Sequence, residues 1–86
     1  MKINVSKIEG VLKKLKKKDP PLFKATQKKI LQISQLKREE IEYFKNLNAP
    51  LNQYKRVHIG SFVLMFRAEG NTVFFDKFEH HDKVYK

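Results

Sequence analysis

The sequence predicts an α+β fold: an N-terminal strand, an antiparallel helical hairpin, and a three-stranded antiparallel meander packed on the helices. Three observations carry that expectation. Apolar residues recur at helical spacing from Ile8 to Leu15 and again from Leu22 to Leu36, with Asp19-Pro20-Pro21 between the two stripes. From Tyr54 onward the pattern changes to strand runs. Gly60-Ser61 and Glu69-Gly70-Asn71 divide those runs in the manner of hairpin turns. The 86 residues are expected to form one domain, residues 1–86. A chain of this size buries only about 60% of its unfolded surface, and it contains no cysteine that could staple it.

Taken in order, Lys2 to Val5 reads as a short strand with Ile3 and Val5 on one face. Ser6-Lys7-Ile8-Glu9 has the spacing of a capping box, in which serine and glutamate each satisfy the other's backbone amide. Ile8, Val11, Leu12 and Leu15 then form one stripe, and Lys13, Lys14, Lys16, Lys17 and Lys18 cover the rest of that helix and its last turn. Asp19 is expected to cap a second helix, because proline cannot continue the first helix but fits the first turn of the next. Leu22, Phe23, Thr26, Ile30, Ile33 and Leu36 line its apolar side.

Residues 37–53 read as a connector. Glu39 to Phe44 has the composition of a helical turn, and Asn46 to Gln53 is rich in turn formers. Phe44, Leu47 and Leu51 are expected to face the core. In the strand from Tyr54 to Ile59, Tyr54, Arg56 and His58 share one face, while Lys55, Val57 and Ile59 share the other. Gly60-Ser61, with glycine first, suits a type II′ turn. Phe62 to Ala68 and Thr72 to Phe78 are the remaining strands.

The charge is uneven. The chain carries a net charge of +10, and residues 1–38 account for all of it, with 12 Lys/Arg against Glu9 and Asp19. Such a field attracts polyanions; a lysine-rich solvated helix surface is the competing explanation. No apolar run approaches the roughly 20 residues of a membrane span, and the N-terminus lacks the apolar core of a signal peptide. A soluble cytoplasmic protein with no membrane association is therefore expected.

Two clusters could carry chemistry. Arg56 can fork onto a phosphate, and histidine titrates near neutrality, so His58 beside it on the same strand face suits proton transfer. The ordinary solvent face of an edge strand would look the same. The second cluster is His80-His81-Asp82-Lys83-Val84-Tyr85, placed just past the third strand. Asp82 could orient an imidazole, and Tyr85 could anchor the tail or act on a substrate. Neither a metal site nor a cofactor is expected: there are only three histidines, and metal-binding pairs are usually spaced to share a face. No glycine-rich phosphate loop, nucleophile triad or zinc-finger spacing is present.

With those residues in view, the chain resembles the RelE/ParE superfamily of toxins from type II toxin–antitoxin systems. The resemblance lies in Tyr54-Lys55-Arg56-Val57-His58-Ile59-Gly60-Ser61-Phe62-Val63-Leu64-Met65-Phe66, similar to the family's basic strand, glycine turn and aromatic-aliphatic strand. It lies also in the ending His80-His81-Asp82-Lys83-Val84-Tyr85, similar to the family's basic tail closing on Val-Tyr. The resemblance implies a ribosome-dependent mRNA endonuclease that inhibits translation through attack of a ribose 2′-OH on the adjacent phosphate. It implies Arg56, His58, His81 and Tyr85 as catalytic residues. Lys13, Lys14, Lys17, Lys28, Lys55, Arg67, His80 and Lys83 are the expected RNA contacts.

The implied partners are the ribosome, mRNA and a RelB-like antitoxin. Two departures stand out: Val63 and His81 occupy positions where the family usually carries arginine. A ParE-like inhibitor of DNA gyrase, or a catalytically inactive nucleic-acid-binding member of the same fold, is the alternative.

Overall fold

The computed structural model describes every residue except Asn48, Pro50, Tyr85 and Lys86. Strand β1 (Lys2–Asn4) leads through a 3-10 turn (Ser6–Ile8) into helix α1 (Glu9–Lys18). Helix α2 (Pro20–Ser34) and the single turn α3 (Arg38–Ile41) follow. Strands β2 (Lys55–Ile59), β3 (Phe62–Glu69) and β4 (Thr72–His80) come next, and a last helical turn, α4 (His81–Val84), ends the described chain.

The sheet has four strands in the order β1-β4-β3-β2. Strands β2, β3 and β4 pair antiparallel, and β1 joins β4 in parallel. The N-terminal strand is thus part of the sheet and makes it mixed. The helices supply the crossover that a parallel connection requires.

Local chemistry explains most boundaries. Asp19 Oδ1 accepts from the Leu22 amide at 3.2 Å and so caps α2. The expected capping box at Ser6 and Glu9 is not what forms there. The Asn4 side chain instead accepts from both the amide and the hydroxyl of Ser6, at 3.0 and 2.7 Å. This Asx-type turn directs the chain into the 3-10 turn before α1 begins. A glutamate closes α3 from within, since Glu40 Oε1 accepts from the Lys37 amide at 2.9 Å. Arg38 ties the same turn to the β3–β4 hairpin, donating to the carbonyls of Gly70 and Ala68 at 2.7 and 3.2 Å.

Ile59 pairs with Phe62 across Gly60-Ser61, and Gly60 has φ +60° with no described non-glycine residue at positive φ. That is the type II′ signature, and glycine adopts it without the Cβ clash other residues meet.

The main core lies between the helices and the sheet. It contains Ile8, Ile30, Ile33, Ile41, Ile59, Leu64, Phe66, Val73, Phe75 and Phe78, all buried. Phe44 joins it edge-on to Phe66, with ring centroids 5.2 Å apart. A second, smaller cluster forms on the opposite face of the sheet, where Leu47, Val63 and Met65 are buried with Leu51, Tyr54 and Val84 packed against them. The connector therefore divides its apolar residues. Phe44 serves the main core, whereas Leu47 and Leu51 cover the other face, which the polar alternation of β2 suggests is open to solvent. Strand β3 is consequently dry on both sides, with Val63, Leu64, Met65 and Phe66 at 0–1% exposure.

Between Phe75 and Phe78 the strand changes phase. Phe66 faces Phe75, yet Met65 faces Lys77, so Asp76 is the extra residue of a β-bulge. The bulge exchanges the faces of everything beyond it. Phe78 is brought into the core, and Lys77 and Glu79 are turned to the outer face.

Candidate functional site

Opposed residues on neighbouring strands share a face, so the register defines the outer surface of the sheet. One row runs Arg56, Met65, Lys77, and the next runs His58, Val63, Glu79. Val63 and Met65 lie between the polar ends of the rows, buried beneath Leu47, Leu51, Tyr54 and Val84. Arg56 and His58 stand on the β2 side, and Lys77 and Glu79 on the β4 side. Lys77 is exposed and is absent from the candidates that the sequence suggests. Without the bulge, plain alternation places it on the core face with Val73 and Phe75. The signal that could have found it is the three-residue spacing of Phe75 and Phe78.

The tail begins at the same end of the sheet. His80 is the last residue of β4, not a tail residue, and lies opposite Phe62, with its ring edge-on to that phenyl at 5.5 Å. The His81 amide donates to the Ser61 carbonyl at 2.9 Å, which anchors α4 on the β2–β3 turn. His58 and His81 thus belong to the end of the sheet that carries Gly60-Ser61. Asp82 sits between the imidazoles of His80 and His81, its carboxylate 3.5 Å from His80 Nδ1 and 3.1 Å from His81 Nε2. Tyr85 lies outside the described residues.

The other end of the outer face holds a buried ionic network. Arg67 Nε donates to Asp76 Oδ2 at 2.9 Å, the Tyr54 hydroxyl donates to the same oxygen at 3.1 Å, and the Lys7 ammonium stands 3.8 Å away. Arg67 also pairs with Glu69 at 2.6 Å and lies over the Phe74 ring, 4.4 Å from its centroid. Burial, followed by the hydrogen bond to Asp76, pushes the Tyr54 phenol above its ordinary pKa. The hydrogen bond from Arg67 to Asp76 raises the guanidinium further above its already high value.

Arg67 thus bonds Asp76 and Glu69 and lies over Phe74. Lys55 is engaged as well. Its ammonium donates to Asn46 Oδ1 at 2.8 Å and pairs with Glu42 at 3.4 Å, with the side chain only 13% exposed. It holds the connector to β2. The sequence alone does not pair Asp76 with Tyr54 and Arg67; an aspartate inside an apolar strand is the available sign of such a network.

Lys13, Lys14 and Lys17 are exposed on α1, as are Lys28 on α2 and Lys83 on α4. Among the described residues, no helix is long and apolar enough to cross a membrane.

No family model matches the chain, and no solved structure matches it. Two relatives do. A Methanocaldococcus jannaschii protein named "Putative toxin RelE4" is 45% identical over 82 residues, which covers 92% of this chain and 83% of the relative. The chain belongs to the RelE toxin family. A Methanosarcina mazei protein described as uncharacterized is 39% identical over 87 residues, covering 93% of this chain and 92% of its own. In this RelE-family chain, Val63 is completely buried in the second apolar cluster. The cations on either side of that cluster come from β2 and from beyond the bulge in β4.

Proposed function

We propose that this RelE-family chain is the toxin of a toxin–antitoxin pair and acts as a ribosome-dependent mRNA endonuclease. The observation that carries the reading is the gathering of Arg56, His58 and Lys77 on one sheet face, with His81 fastened to the turn at the same end. Attack of a ribose 2′-OH on its own phosphate needs a base for that hydroxyl, positive charge for the phosphorane and an acid for the leaving oxygen. His58 and His81 share the proton transfers. Arg56 and Lys77 flank the phosphate, and Tyr85 assists at the end of the tail. Lys13, Lys14, Lys17 and Lys28 dock on ribosomal RNA, with His80 and Lys83 nearer the cut.

The antitoxin partner is an acidic amphipathic segment that complements the basic, partly apolar toxin surface. Cytoplasmic action follows from the ribosomal target. A second reading, gyrase inhibition in the ParE manner or a non-catalytic nucleic-acid binder, draws on the apolar residue at Val63 of β3, buried in the second cluster. Primer extension on an mRNA in a reconstituted translation system decides between them. Cuts within A-site codons that vanish with His81→Ala support the nuclease. Intact mRNA with folded wild-type protein rejects it and makes gyrase supercoiling the next assay.

A further inference from the structure

Neighbouring residues on a strand point to opposite faces, which is why His80 and His81 look unsuited to share a ligand. The structure removes that objection. Strand β4 ends at His80 and α4 starts at His81, so the backbone folds over between them. The two imidazole centroids come to 5.0 Å, and the Asp82 carboxylate falls between the rings. One nitrogen from each imidazole and one Asp82 oxygen all lie within 4.8 Å of one another.

We propose that His80, His81 and Asp82 form a binding site for a single divalent transition-metal ion, with Zn²⁺ the best-fitting probe. Zinc bonds to imidazole nitrogen and carboxylate oxygen are about 2.0–2.2 Å, which places tetrahedral ligand atoms roughly 3.3 Å apart. In the ion-free chain each imidazole faces a different Asp82 oxygen near that spacing, His80 Nδ1 3.5 Å from Oδ2 and His81 Nε2 3.1 Å from Oδ1.

His80 Nδ1 accepts a hydrogen bond from the Asp82 amide at 3.2 Å, and an ion bound there takes over that lone pair from the amide. The Phe62 phenyl packs against the His80 ring, and the Ser61 carbonyl holds the backbone at His81. His81 and Asp82 are exposed, which leaves room for water to complete the coordination. A set of two nitrogens and one oxygen selects zinc and its transition-metal neighbours over magnesium or calcium.

The ion would pin α4 to the end of β4. It would also occupy His81, so bound Zn²⁺ inhibits mRNA cleavage; this consequence rests on the role given to His81 above, whereas the binding does not.

The test uses untagged full-length chain stripped of metal and titrated with Zn²⁺ in competition with a chromogenic chelator. The expected result is one equivalent bound, weakened about tenfold or more by His80→Ala and by Asp82→Asn and unchanged by His58→Ala. In the wild type, the imidazole NMR signals of His80 and His81 shift on addition of Zn²⁺ while those of His58 do not, a readout independent of any variant's folding. Absence of stoichiometric binding, equal loss in His58→Ala, or shifts that spare His80 would overturn the site. Cleavage unaffected by bound Zn²⁺ would overturn the role of His81 and leave the site standing.

Discussion

Arg67 Nε and Asp76 Oδ2 lie 2.9 Å apart across the two central strands of the sheet, with the Asp76 side chain only 4% exposed. The carboxylate is buried where the bulge in β4 turns it under Tyr54, and there it accepts from both Arg67 and Tyr54. Among the described residues, no buried polar side-chain atom is left without a partner.

Removing the charge should therefore be costly. A buried pair broken on one side loses about 3 kcal/mol or more. The Arg67 side chain is 25% exposed and recovers some hydration, so Asp76→Asn should cost about 2 kcal/mol. Glu69→Gln removes only an exposed partner and should cost under about 0.5 kcal/mol. Urea unfolding midpoints at constant m-value measure both. Equal costs would show that Asp76 is not the centre of the network.

The raised phenol of Tyr54 makes a pH-dependent prediction. A group that holds its proton more tightly when folded stabilises the fold below its unfolded pKa of about 10 and loses that contribution as pH rises through the folded value. Tyr54→Phe should cost about 1 kcal/mol at pH 7. The gap between wild type and variant should narrow above pH 10. A gap that widened there would reverse the assigned direction.

For the nuclease, general acid–base groups contribute about 10²–10⁴-fold. His81→Ala and His58→Ala should each reduce A-site cleavage by at least about 100-fold while leaving far-UV circular dichroism unchanged. Lys77→Met should reduce it by a smaller factor, because Arg56 remains on the same row. Wild-type cleavage in Lys77→Met would remove the bulge-placed cation from the mechanism.

The lysines of α1 should act through charge alone. Reversing Lys13 and Lys17 together to glutamate should weaken ribosome binding and flatten its salt dependence, by roughly 0.7–0.9 in log–log slope for each phosphate that the protein no longer neutralises. Filter binding across a range of potassium concentrations reads the slope. An unchanged slope would locate docking elsewhere.

Gly60 offers a test of the hairpin. A Cβ there would meet Leu22 Cδ1 at an ordinary 3.8 Å, but φ is +60°. Gly60→Ala should thus cost about 1 kcal/mol from backbone strain alone, with Gly60→Asn costing less. Thermal midpoints distinguish the two, and equal losses would point to packing.

The sequence by itself determined the elements that rest on local chemistry. The Asp19 cap, the proline restart of α2, the helical stripes and the Gly60-Ser61 turn depend on residues within a few positions of one another, so they are written in spacing. The basic α1 surface was legible for the same reason. Tertiary structure decided what depends on partners far along the chain. The place of β1 beside β4, the second apolar cluster of Leu47, Val63 and Met65, and the engagement of Arg67 and Lys55 all join segments distant in sequence. The bulge at Asp76 belongs to both levels. Its spacing is printed between Phe75 and Phe78, yet only pairing with β3 shows that the extra residue is accommodated by burying a carboxylate against Arg67. That one residue reverses the faces of β4, which sets Lys77 in the row with Arg56 and delivers His80 to the strand end where His81 and Asp82 fold back on it.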